Sequence, residues 1–351
     1  MFVAAGLIVA ASAGVYVSLT VPAQAGIVEV PVPSAKPTVS GAPPAPAASR
    51  KAAPLAVPAG ATEVDRPSSF GYVRSPTSCD AQTLLTDSLK QLALDVDEQI
   101  RQGTEMSAAD ENALGKQMLE EVEGALGGRL VRSGTTPNYF AAVAAPMLRR
   151  VQRAGIEYHF SVLEDTEDVN AFAMPGGQIV VTRPMLSEIK NEAQLATVLG
   201  HEIGHIDLRH PVAVFESTRA LGIPDDEVIS QAVAAIIRLP YSTTQEEKAD
   251  EYGAAALHEA GYSVFQSVAF WSKQGATAPA SPPADEGPFG ALLDLAVREA
   301  DNVLRTHPDD ARRACLLKNT SFKLYRDQPR DVAYVGTTNF RKQTAMSVRV
   351  Y

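Results

Sequence analysis

Apolar residues recur at helical spacing along most of the chain from residue 81 onward. They predict a first helix over Ala81–Arg101, where leucines fall three and four residues apart. Ser107 is a favourable N-cap, and the second helix that it begins runs to Leu126, where a Gly-Gly pair ends it. A third helix is predicted after Asn138, in the segment YFAAVAAPMLRRVQRAG.

The next segments alternate apolar and polar residues and predict strands. EYHFSVLED (157–165) predicts one strand, and VNAFAMPGGQIVVT (169–182) predicts two strands around a Pro-Gly-Gly turn. A strong helical pattern follows over Asn191–Leu208. Further helices are predicted near 226–238, 244–260, 263–274, 290–305 and 308–317. The pattern as a whole predicts a helix-rich α+β domain with a small β-sheet.

The two ends of the chain lack this periodicity. Residues 1–25 carry no charge and end in a small-x-small pattern, which predicts a signal peptide cut after Ala25. No Lys or Arg precedes the apolar run, so an uncleaved membrane anchor is the main alternative and a buried helix a weaker one. Residues 26–77 are rich in Pro and Ala and predict an extended linker. We therefore expect a folded domain over 78–318 and a polar C-terminal tail over 319–351.

Charge and cysteine content narrow the class of protein. The net charge of −10 argues against nucleic acid or an anionic membrane surface as the main partner. Cys79 and Cys315 match no metal-binding or redox motif. In an oxidising compartment they would form one disulfide that closes most of the domain, and two separate buried thiols are the equal alternative.

The segment GHEIGHIDLRH (200–210) carries candidate chemistry on the predicted helix. His201 and His205 are four residues apart, so they project from one face and two imidazole nitrogens can meet one metal ion. Glu202 lies about 100° around the helix and reaches beside the metal, as a general base on water would. Zinc suits such a site because it accepts neutral imidazole ligands and lowers the pKa of bound water to about 7, so that hydroxide is available at neutral pH. An ordinary polar helix is the alternative.

A third ligand is available in the helical segment TTQEEKADEYG (243–253). Glu246 and Asp250 share one helix face, so Glu246 can bind the metal while Asp250 accepts the second N–H of a ligand histidine. Glu247 and Glu251 form the neighbouring pair, and spacing alone does not decide which pair faces inward. A solvated acidic face is the alternative for both pairs.

Four ordered motifs resemble the gluzincin zinc metallopeptidases related to the CAAX prenyl endopeptidase, above all their soluble, exported bacterial members. The motifs are NAFAMPGGQIVVT (170–182), HEIGH (201–205), YSTTQEEKAD (241–250) and THPDDARR (306–313). Thr243 and Lys248 stand where the family usually has arginine and glutamate, and neither is a ligand position. The resemblance covers roughly residues 84–317 and implies a zincin-type fold with the His-Glu-x-x-His motif on its active-site helix.

The resemblance also implies roles for individual residues. It assigns one zinc ion per chain to His201, His205 and Glu246, the general base to Glu202, and a supporting role behind a ligand histidine to Asp250. It assigns oxyanion stabilisation to His307 and Arg313, although His307 would alternatively occupy the open metal position and hold the enzyme latent. A substrate-binding sheet edge, which pairs with the substrate backbone, is assigned to Gly177, Gln178, Ile179, Val180 and Val181.

The function implied is a zinc-dependent endopeptidase that removes misfolded or stalled proteins from the bacterial cell envelope. Its substrates would be unfolded chains, its partners envelope or outer-membrane assembly proteins, and its location the periplasm or the outer side of the inner membrane. A chaperone-like module that holds unfolded exported chains with little hydrolysis is the first alternative. A structural zinc protein is a weaker one, because closed structural sites normally have four ligands, often cysteines.

Overall fold

The computed structural model of the chain describes residues 63–67, 79, 105–220, 225, 229–238, 241, 243–274 and 311–346. The predicted signal peptide, most of the predicted linker, the predicted helices at 81–101 and 290–305, and His307 lie outside these residues. No helix among the described residues is long and apolar enough to cross a membrane.

Helices make up most of the described chain. They are α1 (Ala108–Leu126), α2 (Thr135–Ala144), α3 (Arg183–Glu188), α4 (Glu192–Asp207), α5 (Ala213–Ala220), α6 (Ile229–Arg238), α7 (Thr243–Ala260), α8 (Phe265–Gln274), α9 (Ala311–Asp327) and α10 (Thr337–Lys342). The predicted cap at Ser107 is confirmed, because its side chain accepts the N–H of Asp110. The side chain of Asn191 caps α4 in the same way by accepting the N–H of Gln194. The helix predicted after Asn138 begins earlier and ends before Pro146, which has no N–H to continue it.

A four-stranded sheet lies among these helices. Its strands are β2 (Arg129–Val131), β3 (His159–Glu164), β4 (Ala171–Met174) and β5 (Gln178–Thr182), in the spatial order β2-β3-β5-β4. β5 pairs in parallel with β3 and antiparallel with β4, and β2 pairs antiparallel with β3. A second, two-stranded sheet joins β1 (Val64–Asp65) to β6 (Ala333–Tyr334).

Both faces of the main sheet are covered. Ile179 and Val181 of β5 pack into the apolar cluster that contains α4, whereas Val180 packs into a second cluster with α1 and α6. A strand covered on both faces is apolar at successive positions, which explains the run of three apolar residues in QIVVT. The result is a layered arrangement with the sheet between α4 on one side and α1 and α6 on the other.

The turn between β4 and β5 is fixed by α1. Gly176 and Gly177 both have positive φ angles, of 66° and 76°, which glycine adopts without steric cost. The N–H of Gly176 donates to the buried carboxylate of Glu111, which Arg153 also binds. This contact holds the turn before β5 against the N-terminal part of α1.

The ends of the domain differ from the prediction. Residues after Asn319 are not a tail, because α9 continues to Asp327 and buries Tyr325. At the other end, the side chain of Glu63 caps α10 through Thr338, so the predicted linker contributes residues to the fold. The sequence analysis missed the contacts of both segments because short strands and helix caps bury few apolar side chains, so no hydrophobic pattern marks them.

Cys79 and Cys315 form a disulfide, which decides between the two alternatives left open by the sequence. Cys315 lies on α9, so the bond ties the N-terminal side of the domain to that helix.

Candidate metal centre

Two long helices, α4 and α7, bring the predicted metal ligands together. Small residues meet where the helices cross, with Gly200 and Gly204 on α4 facing Ala249 and Gly253 on α7. A Cβ atom on Gly253 would lie 3.0 Å from the backbone nitrogen of His201, and one on Gly204 would lie 3.1 Å from the carbonyl oxygen of Ala249. Larger side chains would separate the helices, so the glycines allow side chains from both helices to reach one point.

Three donor groups converge at that point. Nε2 of His201 and Nε2 of His205 are 3.0 Å apart. The carboxylate of Glu246 lies 3.3 Å from the first nitrogen and 3.4 Å from the second. Ligands of a tetrahedral zinc ion, at about 2.0–2.1 Å from the metal, lie about 3.3 Å from one another, so the spacing of the donor atoms fits zinc. All three residues are buried, at 1% exposure or less.

Asp250 supports His201 from behind. Its Oδ1 lies 2.9 Å from Nδ1 of His201, so the imidazole donates Nδ1–H to the carboxylate and turns its Nε2 lone pair toward the donor group. Burial raises the pKa of Asp250, but the charge of Arg313 and the contacts with His201 outweigh it and hold the pKa below its usual range. The carboxylate therefore stays ionised and remains an acceptor.

Arg313 holds the two carboxylates of α7 in place. Its Nε and Nη2 donate to Asp250 at 2.8 and 2.9 Å, and its Nη1 lies 2.9 Å from Glu246. The guanidinium also lies 4.8 Å from the centre of the Trp271 ring, and the side chain is 2% exposed. A planar fork bound to carboxylates on two sides is a rigid support.

A family model for peptidase family M48 matches residues 136–321, which is more than half of the 351 residues. That span includes the donor group, Glu202 and both supporting residues, Asp250 and Arg313. The chain belongs to peptidase family M48.

Several curated proteins are similar to this M48 chain over part of their length. The mitochondrial metalloendopeptidase OMA1 of Arabidopsis thaliana is 34% identical over 159 residues, which cover 42% of this chain and 29% of the relative. The metalloprotease YcaL of Escherichia coli K12 is 24% identical over 225 residues, or 60% of this chain and 79% of the relative. The beta-barrel assembly-enhancing protease of the same strain is 26% identical over 114 residues, or 32% and 23%. The chain thus spans less than a third of the Arabidopsis relative.

Family membership confirms two predictions from the sequence. The gluzincin resemblance is confirmed by the M48 match, and the helix-rich zincin-type α+β fold is confirmed by the match together with the observed helices and small sheets. The helix α4 carries His-Glu-x-x-His as expected.

The structure also decides which acidic pair of the M48 domain faces inward. Glu246 and Asp250 are buried, whereas Glu251 is exposed and Glu247 is only partly buried. Lys248, which departs from the family pattern, is exposed as well. Its position on the outside of α7 explains why the substitution leaves the donor group intact.

Glu202 lies within the same buried region. Its side chain is 1% exposed, and it lies near Tyr241. Burial, and after it the charges of Glu202 and Glu246, raise the pKa of Tyr241 well above its usual value. The tyrosine therefore stays protonated.

The predicted substrate edge of the M48 domain is wrong in its position. Gln178, Ile179, Val180 and Val181 belong to β5, which lies inside the sheet and pairs with β3 on one side and β4 on the other. The carbonyl of Gly177 accepts the N–H of His159. With these backbone groups engaged in the sheet, β5 has no open edge. Among the described strands, β4 is the outer one on that side, and its residues are at most 1% exposed. Strand order depends on contacts between distant segments, which the local pattern does not contain.

In the described structure, the three guanidinium nitrogens of Arg313 contact Glu246 and Asp250, so the side chain holds the ligand group in place. Its predicted oxyanion role stays a prediction. The other residue assigned to the oxyanion, His307, lies outside the described residues, and its role stays a prediction.

A histidine just beyond α4 contacts one of the ligands. Nδ1 of His210 lies 2.8 Å from Nδ1 of His205. Tyr241 stacks on His205 from another side, with ring centroids 4.1 Å apart. His205 is therefore supported by two rings, where His201 is supported by a carboxylate.

Proposed function

We propose that this chain is a zinc-dependent endopeptidase of the bacterial cell envelope that cleaves misfolded or stalled exported proteins. The observation that carries the proposal is the buried group of His201, His205 and Glu246, whose donor atoms have the spacing of zinc ligands. Glu202 follows His201 on the same helix, where a structural metal site would have no need of a carboxylate.

The residues of the site divide the work of peptide hydrolysis. His201, His205 and Glu246 would hold zinc, which would supply polarisation of the scissile carbonyl and a lowered pKa for water. Glu202 takes a proton from the attacking water and later passes it to the leaving amine. Asp250 and Arg313 keep the ligands oriented, so that little reorganisation is needed during the reaction.

The substrate would be an extended peptide that lies along β4. Among the described strands it is the outer one beside β5, and it packs against α4, the helix that carries the two histidine ligands. Its four residues are at most 1% exposed, so the segments that cover the strand would have to move aside before a peptide adds. A peptide that adds as a strand forms main-chain hydrogen bonds, which do not depend on its sequence. Broad cleavage of unfolded chains would follow from this mode of binding.

A location in the envelope and partners in outer-membrane assembly rest on similarity and on the N-terminal sequence. The beta-barrel assembly-enhancing protease of Escherichia coli is a relative over the matched segment, and residues 1–25 have the pattern of a signal peptide. The disulfide between Cys79 and Cys315 is typical of an oxidising compartment.

The test is zinc content and casein cleavage of the purified full chain and its Glu202→Gln variant, with Glu251→Gln as the control. Glu251 is an exposed carboxylate on α7, so its loss tests the removal of a charge alone. We expect one zinc per chain in all three proteins, and cleavage that a chelator stops and that only Glu202→Gln loses. One zinc without cleavage in the parent would favour a latent enzyme or the holding module, and absence of zinc would refute the site.

A further inference from the structure

We propose that His210 is a positioning residue that sets the tautomer of the metal ligand His205. The inference deepens the proposed function, because it rests on zinc binding by His205. The side chain of His210 contacts the ligand His205 at Nδ1, and it contacts none of the three atoms that would bind the metal.

The two Nδ1 atoms of His205 and His210 are close enough that a single shared proton must lie between them. Nδ1 of His205 and Nδ1 of His210 are 2.8 Å apart, which is a hydrogen bond, so one nitrogen donates and the other accepts. Nε2 of His205 faces Glu246 and His201 and must present its lone pair to a metal ion. The proton of His205 therefore sits on Nδ1, and His210 is the acceptor, with its own proton on Nε2.

The end of α4 places His210 under His205. The N–H of His210 donates to the carbonyl of His205, and the N–H of Arg209 donates to the carbonyl of Ile206. These two bonds form a Schellman motif, which reverses the chain at the end of a helix. The same two residues, His205 and His210, are thus joined by a backbone bond and by a ring bond.

The turn is held in an unusual conformation. Arg209 has a φ of 64°, a left-handed value at the position where glycine is most common. Its guanidinium binds the buried carboxylate of Glu216, which also accepts the N–H of Met106. The surrounding structure therefore over-determines the turn that carries His210 back to the ligand.

Tyr241 completes the support of His205. Its ring stacks on the imidazole with centroids 4.1 Å apart and planes 24° apart, and it lies 5.8 Å from the ring of His210. Stacking fixes the plane of the His205 ring, and the hydrogen bond from Nδ1 fixes its rotation within that plane. The two contacts together aim Nε2 at the donor group.

A neutral acceptor suits this side of the site. The other ligand histidine, His201, donates to Asp250, and Glu202 and Glu246 add two more buried carboxylates. A fourth carboxylate behind His205 would add another negative charge to a buried region. An imidazole accepts the same hydrogen bond without adding charge.

The experiment measures zinc affinity of the full chain, by competition with a chelator, in the parent and in His210→Ala and His210→Gln. Fluorescence of Trp271, the single tryptophan, gives a second measure of loading, because its ring lies 5.7 Å from that of His201. His159→Ala is the matched control, since His159 is an exposed histidine on β3. Thermal unfolding of the metal-free proteins reports any structural effect.

We expect His210→Ala to weaken zinc binding by about 10–100-fold, as is typical when the acceptor behind a ligand histidine is lost. His210→Gln should recover most of the affinity, because its amide oxygen can accept the N–H of His205. Equal affinity in His210→Ala and the parent would overturn the inference, as would a His210→Gln variant as weak as the alanine variant. If the parent itself bound no zinc, the proposed function would fail first, which is a different result.

Discussion

Replacing Arg313 by glutamine tests how the buried charges of the site are balanced. The substitution removes the guanidinium from Asp250 and Glu246 and leaves an amide of shorter reach. Arg326→Gln is the control on the same helix, because Arg326 is exposed and pairs only with its exposed neighbour Asp327 among the described residues. Both variants lose one positive charge from α9, so a difference between them reports the buried contacts.

The expected loss of stability is large. Breaking a buried ion pair by removing one partner costs about 3–5 kcal/mol, because the other charge stays buried without compensation. An exposed pair contributes about 0–1 kcal/mol. Denaturant unfolding of the chelator-treated full chain should therefore separate Arg313→Gln from the parent by several kcal/mol and Arg326→Gln by almost nothing.

Zinc should reduce that difference. A divalent ion at His201, His205 and Glu246 supplies positive charge near the carboxylates that lose Arg313, so the variant should gain more stability from zinc than the parent does. The opposite pattern would refute the reasoning. If Arg313→Gln lost kcat while its metal-free stability and zinc affinity stayed at the parent values, the guanidinium would act on the transition state as the sequence first implied.

Two further predictions concern packing and pH. Gly253→Ala should lower the free energy of unfolding by about 1–3 kcal/mol and weaken zinc binding, because the new Cβ would crowd the backbone of His201. Gly124→Ala on α1 is the control. It has nothing within 4 Å of the new Cβ and should be neutral or stabilising. His258 is buried, and burial, with the nearby charge of Arg330, lowers its pKa to about 4. Because this value lies below that of the unfolded chain, stability should fall by up to about 3 kcal/mol as pH drops from about 6.5 to 4, and chemical unfolding of His258→Leu should show less of this pH dependence.

The sequence was sufficient to place site residues that lie together on one helix. His201 and His205 are one turn apart on any α-helix, and the same holds for Glu246 and Asp250, so each pair could be placed before any fold was known. Which acidic pair faces inward needed the crossing of α4 and α7, and that crossing depends on glycines whose partners are about 50 residues away.

The errors came from features that local patterns do not contain. Strand order placed β5 inside the sheet, although its apolar run was consistent with either position. The support of His205 by His210 depends on a left-handed arginine at a helix end, where sequence statistics favour glycine. The segment after Asn319 is polar on average, yet it buries Tyr325 on one face of α9. In each case the deciding contact joins residues from different elements or departs from the preferred residue type.

The charges of the buried site argue for a divalent cation independently of any motif. Glu202, Glu246 and Asp250 are each at most 5% exposed, and Arg313 is the cation that the described structure sets against two of them. With ionised carboxylates and neutral histidines, the side chains named here sum to a formal charge of −2, and a negative sum at a buried site favours a cation. A zinc ion would bring the total to zero. An ordinary polar helix would expose these carboxylates to water, so their burial is the argument against that alternative.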